Sequence, residues 1–256
     1  MKFVRFSVEG EAAIRSGQLE EGIIHEWTGH LFGSRVTTGN QFPLEAVQLK
    51  APLEPRHIVG IGKNFSPAGE EKQPIPEMPI LFFKPLTTVI GPGDAIKLPS
   101  AAAQVKFESE LAVIIGAEAS HIKTSDVKDY IFGYTIGNDL GAFNYFHPEG
   151  HWTIGKAFDT FCPLGPYIET QFDYNSAHIQ ARVNGELLQD AGMDRIIMPV
   201  DQQIAYISSF MTLKPGDVIL TGTPAGAQYV KDGDSITCSI EGLGHLHNPV
   251  ILEEGS

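Results

Sequence analysis

The stretch Phe107-Glu108-Ser109-Glu110-Leu111-Ala112-Val113-Ile114-Ile115-Gly116 constrains this chain more than any other. Its last six residues are apolar or Gly and rich in β-branched types, which predicts a buried strand. The strand is expected to begin near Val105, so two acids fall in its first half. Side chains alternate along a strand, so Glu108 and Glu110 should project from one face, about 7 Å apart along the backbone. Two like charges on a half-buried strand repel each other and resist desolvation. A bound cation is the simplest reason to keep them there. A solvated strand start explains them equally well.

A third acid shifts the balance toward a cation. Ile131 to Gly137 reads as another apolar strand, and it ends in Asn138-Asp139. An Asp just past a strand terminus can aim its carboxylate across a neighbouring strand. Three carboxylates with no Cys or His beside them make a hard, all-oxygen site. That chemistry suits Mg²⁺, Mn²⁺ or Ca²⁺ rather than Zn²⁺ or copper.

The rest of the chain sets limits on what surrounds such a site. With 27 Gly and 17 Pro in 256 residues, many turns and short strands are expected rather than a helical bundle. The formal net charge of −13 argues against nucleic acid or an anionic membrane as partner. It leaves room for an anionic substrate, because a bound divalent metal reverses the local field. Cys162 and Cys238 make no disulfide framework; they read as small buried residues and fit a reducing cytoplasm. Met1 to Gly10 has no signal-peptide core, and no apolar run approaches the roughly 20 residues that span a bilayer.

Residues 1–52 read as a small N-terminal domain, with strands at Lys2–Val8 and Gly22–Trp27. Pro52 and Pro55 then mark a linker, and 53–256 read as one catalytic domain. Ile58 to Gly62 and Ile80 to Phe83 are expected strands. Residues 64–79 between them, rich in Pro, read as a mobile lid. Pro92-Gly93-Asp94, Pro215-Gly216-Asp217 and Asp232-Gly233-Asp234 repeat one turn-into-strand pattern. Asn184-Gly185 signals a hairpin. One helix is expected, Val200 to Met211, with Ile204, Ile207 and Met211 on its buried face. Few helices and many strands make a β-rich α+β fold.

Two further stretches carry chemistry or none. Lys156, among small and apolar neighbours, is either an enolate-stabilising cation near a metal or a surface lysine pairing with Asp159. Thr221-Gly222-Thr223-Pro224-Ala225-Gly226 either brings hydroxyls and backbone to a ligand or is an ordinary loop. His147 and His151 are four apart, but Pro148 and Gly150 speak against a helical zinc pair.

Taken together, these residues resemble the fumarylacetoacetate hydrolase family. The resemblance runs from about Ile58 to Val250. It rests on Glu108-x-Glu110, Asn138-Asp139, Gly155 to Asp159, Phe161 to Pro166, Val183 to Glu186, Met211 to Asp217 and Leu220 to Pro224, in that order and spacing. It implies that family's β-sheet roll, a small N-terminal domain and a homodimer. It implies Mg²⁺ or Mn²⁺ on Glu108, Glu110 and Asp139, with Lys156, Thr223 and Gly222 facing the substrate and Thr160 behind them. Two departures stand out. The lid's water-activating His and Glu fall at Ala68 and Glu71, so only the Glu is kept. The substrate-binding Arg and Gln fall at Phe143 and Phe146, which implies a more apolar substrate pocket.

The expected activity is metal-dependent chemistry on a small 2-oxo or 1,3-dioxo acid, with Lys156 and Glu71 as the catalytic pair. The resemblance favours C–C bond hydrolysis, as on fumarylacetoacetate or an acylpyruvate. The missing lid His favours a step without activated water: ketonisation, oxaloacetate decarboxylation or hydroxymuconate-type isomerisation. With Glu71 alone in the lid, His151 is a second candidate base, against a plain solvated loop histidine. A non-catalytic relative that binds a dicarboxylate is the alternative of a different class.

Overall fold

The strand Ser109–Ile115 lies at the centre of the fold, and all seven of its residues are buried. It pairs antiparallel with Ile131–Asn138 on one side and with Val218–Leu220 on the other. An apolar run without polar alternation fits a strand covered on both faces. Leu111, Val113 and Ile115 enter one core with Ile136 and Ile219; Ala112 and Ile114 enter a second with Leu164 and Leu220. The structure is a computed structural model, and it describes residues 1–101 and 104–253.

The expected start of this strand near Val105 is wrong in one respect. Val105–Lys106 forms a separate short ladder with Gly141–Ala142, and Phe107 and Glu108 stand outside both ladders. Asn138 and Asp139 cause the break. The Glu108 N–H donates to Asn138 Oδ1 (3.0 Å), and the Asp139 N–H donates to the Glu108 carbonyl (2.8 Å). A side-chain acceptor thus replaces a ladder carbonyl, and the two bonds hold the segments together where the ladder stops.

Among the described residues the main sheet has 12 strands. Its path runs from Arg35–Pro43 through Ile23–Gly29, Arg15–Glu20 and Lys2–Val8 to Cys162–Glu169, then Ile131–Asn138, Ser109–Ile115, Val218–Leu220, Ile58–Gly62 and Ile80–Lys84. The N-terminal strands thus extend the central sheet through the pair Lys2 to Glu169. A second sheet of five strands carries the hairpin at Asn184-Gly185, where both residues have positive φ (51° and 85°) as a tight hairpin turn requires.

The three repeated turns share a device beyond their glycines. Asp94, Asp217 and Asp234 each accept a bond from the backbone N–H three residues earlier, at 2.9, 2.7 and 2.8 Å. A strand follows each: Ile96–Leu98, Val218–Leu220 and Ser235–Ile240.

The helix spans Val200–Ser208, three residues shorter than expected at its end. Ser208 and Ser209 bond their hydroxyls back to the carbonyls of Ala205 and Tyr206, which competes with helix propagation. Met211 follows only as a last-turn contact to the Ile207 carbonyl (3.0 Å). No helix among the described residues is long and apolar enough to cross a membrane.

The buried Asn64 ties three segments together just after Ile58–Gly62. Its amide donates to the carbonyls of Thr221 (2.8 Å) and Met198 (3.2 Å) and accepts from the Met198 N–H (2.8 Å). The following segment is anchored as well. Arg195 donates to the carbonyls of Pro67 and Glu70, and the Ser66 hydroxyl accepts from the Gln73 N–H. The segment read as a lid therefore has fixed polar attachments that its sequence did not suggest. Replacing Asn64 by Ala should lower stability by about 2–3 kcal/mol, because it orphans buried backbone groups. Urea unfolding measures this, and an unchanged midpoint would show that these bonds hold nothing together.

Candidate active site

The clamp of Asn138 and Asp139 on Glu108 brings the three acids together. Glu108, Glu110 and Asp139 each offer a carboxylate oxygen within 4.8 Å of the other two. Glu110 and Asp139 are buried, at 2% and 0% exposure, and Glu108 is partly covered.

Two buried lysines share this cluster. Lys156 donates to Glu108 Oε2 at 2.5 Å and also to Asp139 Oδ2. The reading of Lys156 as a surface residue paired with Asp159 is therefore overturned: it is 1% exposed, whereas Asp159 is exposed. Gly155 permits the approach, since a Cβ there would lie 2.3 Å from the Phe146 ring and 2.6 Å from the Ala142 carbonyl. The second lysine, Lys84, was not anticipated. It donates to Asp139 Oδ1 (2.6 Å) and to the Leu140 carbonyl (3.0 Å).

The electrostatics divide the acids. Burial alone would raise the Asp139 carboxyl, but the ammoniums of Lys156 and Lys84 hold it below the usual carboxylate range. Burial pushes Glu108 upward, and Lys156 offsets this only in part. Glu110 goes well above its ordinary value, from burial first and then from the charges of Asp139 and Glu108. Its one hydrogen bond comes from the Gly222 N–H (2.8 Å), and it pairs with no lysine or arginine among the described residues. Lys156 is raised: burial lowers it, and the adjoining carboxylates outweigh burial. Burial lifts both thiols to about 12, so neither cysteine supplies a thiolate.

The acids open into a cavity of about 680 Å³. One wall is aromatic. Phe143 stacks on Phe146 (4.6 Å between centroids) and Phe146 on Trp152 (5.4 Å), while Phe82 lies against Trp152 and 5.0 Å from Lys156 Nζ. Thr223 lines another side. Its hydroxyl donates to the Ser109 carbonyl (2.8 Å) and accepts from Gln189 (2.9 Å). Buried Gln189, also unanticipated, bonds Ser109 N–H and the Pro224 carbonyl, so it joins the strand of Glu110 to the Thr223 loop.

Other expected site residues lie elsewhere. Gly222 spends its N–H on Glu110 and is not in the cavity wall. Thr160 accepts from the Lys97 N–H (2.9 Å) and has no bond to the cluster. Glu71 is exposed and outside the wall; Phe65, Pro67 and Gln73 represent its segment there. His151 lines a separate surface pocket with His147.

Comparison with known proteins follows the same lines. The profile described as "Fumarylacetoacetate (FAA) hydrolase C-terminal" matches residues 57–251, and one described as "Rv2993c-like, N-terminal" matches residues 1–52. The oxaloacetate tautomerase fahd2, mitochondrial, of Xenopus laevis is 38% identical over 219 residues, covering 80% of this chain and 69% of its own. The structure of 2-hydroxyhepta-2,4-diene-1,7-dioate isomerase from Mycobacterium marinum superposes with a TM-score of 0.89 at 39% identity, covering 99% of each chain. The maleylpyruvate hydrolase from Sphingobium sp. SYK-6, solved with manganese(II) and pyruvate, gives 0.83 at 28% identity, covering 99% of this chain and 100% of that one. With a profile match over most of its length and a fold shared with these enzymes, the chain belongs to the fumarylacetoacetate hydrolase family.

Proposed function

We propose that this chain is a divalent-metal-dependent enzyme that moves a proton on an enolisable 2-oxo acid, as a keto–enol tautomerase or isomerase. One observation carries the choice of reaction. Among the described residues, the cavity wall holds no histidine, and its only carboxylates are Glu108, Glu110 and Asp139. Hydrolysis of a C–C bond needs a group that takes a proton from water. Enolisation also passes a proton to an acceptor, but a carbon flanked by carbonyls is more acidic than water, so a weak acceptor such as solvent suffices once the enolate oxygen is stabilised.

The donor set fits a hard cation. Three carboxylates against two ammoniums leave one negative charge in excess, and Glu110 is the member without a countercharge. A buried carboxylate in that position calls for a cation. Each carboxylate oxygen has two lone pairs, so the bonds from Lys156 do not exhaust Asp139 or Glu108. Glu108, Glu110 and Asp139 would hold Mg²⁺ or Mn²⁺, which would supply Lewis-acid polarisation of the oxo acid. Lys156 keeps its proton at Nζ and presents a fixed positive charge beside the place where the enolate oxygen develops. The aromatic wall of Phe143, Phe146 and Trp152 limits water around the reacting carbon. In enolisation C3, next to the oxo carbon, gives up a proton and the oxo oxygen gains one; ketonisation reverses both transfers, so no water is consumed.

C–C bond hydrolysis is the second reading, supported by the likeness to maleylpyruvate hydrolase. A panel separates the two: oxaloacetate enol decay by ultraviolet absorbance, and cleavage of an acylpyruvate, each with Mg²⁺ or Mn²⁺. Tautomerisation faster than cleavage is expected. Rapid cleavage by the unaltered protein would reverse the assignment. Ala68→His then asks whether a base restored to the lid adds hydrolysis.

Two further outcomes follow from the cluster. Lys156→Met should lower kcat by roughly 10²–10³-fold, the typical loss on removing one donor to a developing oxyanion, while Mn²⁺ still binds. Retained turnover would remove Lys156 from the chemistry. The raised Glu110 is protonated up to a higher pH than an ordinary glutamate, and the metal needs it ionised. Mn²⁺ affinity should therefore rise with pH, and binding should release protons into a weakly buffered solution. Affinity that stays flat from mildly acid to neutral pH would mean that Glu110 is not a ligand.

A further inference from the structure

Lys106 is a cation at the cavity that the cluster does not use. It lines the cavity, as does Glu108 two residues further on. Two residues of chain separate their Cα atoms by at most about 7 Å. Its backbone is fixed on both sides, by a ladder pair with Gly141 and by a bridge with Tyr229. Its side chain is fixed as well: Nζ lies 4.8 Å from the ring centroid of Phe143 and 4.8 Å from that of Tyr229. Lysine side chains normally lose much rotamer freedom on binding a partner. Here the two rings have already ordered it.

Nothing in this arrangement neutralises the charge. Aromatic faces attract an ammonium but leave its hydrogen-bonding protons unsatisfied. Among the described residues, Lys106 forms no ion pair and no hydrogen bond through its side chain. Lys156, the other ordered lysine of the cavity, is committed to Glu108 and Asp139. The cavity thus has a metal-type acidic cluster at one place and a pre-positioned, unpaired cation a short chain away. The Phe143 ring, against which Lys106 Nζ lies, is also in the wall and offers apolar contact to methylene groups.

Resting on the oxo-acid reading above, we propose that Lys106 binds the distal carboxylate of a 2-oxo dicarboxylate whose oxo-acid end faces the cluster. This makes Lys106 a specificity-determining residue: it selects dicarboxylates over monocarboxylates of equal length. Lys63, also in the wall without an ion pair among the described residues, is exposed, so the ring-held ammonium of Lys106 is the one set to match a further negative charge, and a charged partner gains a charge-assisted hydrogen bond that a methyl group cannot make.

The test uses two non-cleaved probes that differ only at the far end, 2-oxoglutarate and 2-oxopentanoate. Their dissociation constants are measured by calorimetry on the Mn²⁺-loaded protein. The unaltered protein should prefer 2-oxoglutarate by roughly tenfold, the worth of one hydrogen bond to a charged group. In Lys106→Met the ratio should collapse towards one, and in Lys106→Arg the preference should persist, which also shows that the position tolerates change. Equal binding of both probes by the unaltered protein, or a preference that survives Lys106→Met, overturns the role of Lys106 and leaves the oxo-acid reading standing. Binding of neither probe by the unaltered, metal-loaded protein overturns both.

Discussion

Three carboxylates and two ammoniums buried against one another are the interaction on which the rest of this structure depends. Each charge taken from water costs several kcal/mol, and only close, well-directed partners recover it. The partners here come from separated parts of the chain. Lys84 ends the strand Ile80–Lys84, Asp139 follows the strand Ile131–Asn138, Glu110 lies in the central strand, and Lys156 comes from a tight turn beyond residue 152. A misplaced strand would leave a charge unpaired in the interior. The sheet register therefore has an electrostatic reason as well as a hydrophobic one. Lys84 and Lys156 take opposite oxygens of Asp139, so this carboxylate is oriented before any cation arrives.

Much of the scaffold was legible because its signals are local. The apolar run after Glu110, the Asn184-Gly185 turn and the three Gly-Asp turns each carry their structure within a few residues. The break at Phe107 and Glu108 was not legible. It comes from Asn138 Oδ1, a side chain that belongs to another strand. The same holds for Lys84. A lysine that closes an apolar strand just before Pro85 reads as a solvent-facing end, and only the sheet order brings it to Asp139. The strand Arg35–Pro43 contains Thr, Gly, Asn and Gln and is almost wholly exposed, so no apolar periodicity marks it. The early end of the helix is set by Ser208 and Ser209, whose hydroxyls compete for its last carbonyls.

The site was legible in part, for a related reason. Acids and a lysine in unusual apolar settings stand out in a sequence, and the structure does bring Glu108, Glu110, Asp139 and Lys156 together. Supporting residues do not stand out. Gln189 looks like any polar residue of a hairpin, yet it is fully buried and joins Ser109 to Thr223 and Pro224. Gly222 was read as a ligand contact; it is the hydrogen-bond donor to Glu110. The two roles call for the same residue at the same place in the chain, and only the direction of its N–H separates them.

The charge of the whole molecule bears on how such a site meets an acid. A net charge of −13 repels an anionic substrate at long range. At physiological salt that repulsion fades beyond about 8 Å, so what lies within the cavity decides. There the field is uneven. Lys156 is neutralised by the carboxylates that it touches. Glu110, once ionised, is a negative charge without a partner cation among the described residues, and a divalent cation would offset it. Lys63 and Lys106 add charge at the wall without partners among the described residues. Filling the metal position would therefore add positive charge beside the carboxylates and make the field there more favourable to an acid. Metal binding and acid binding would then be linked through electrostatics.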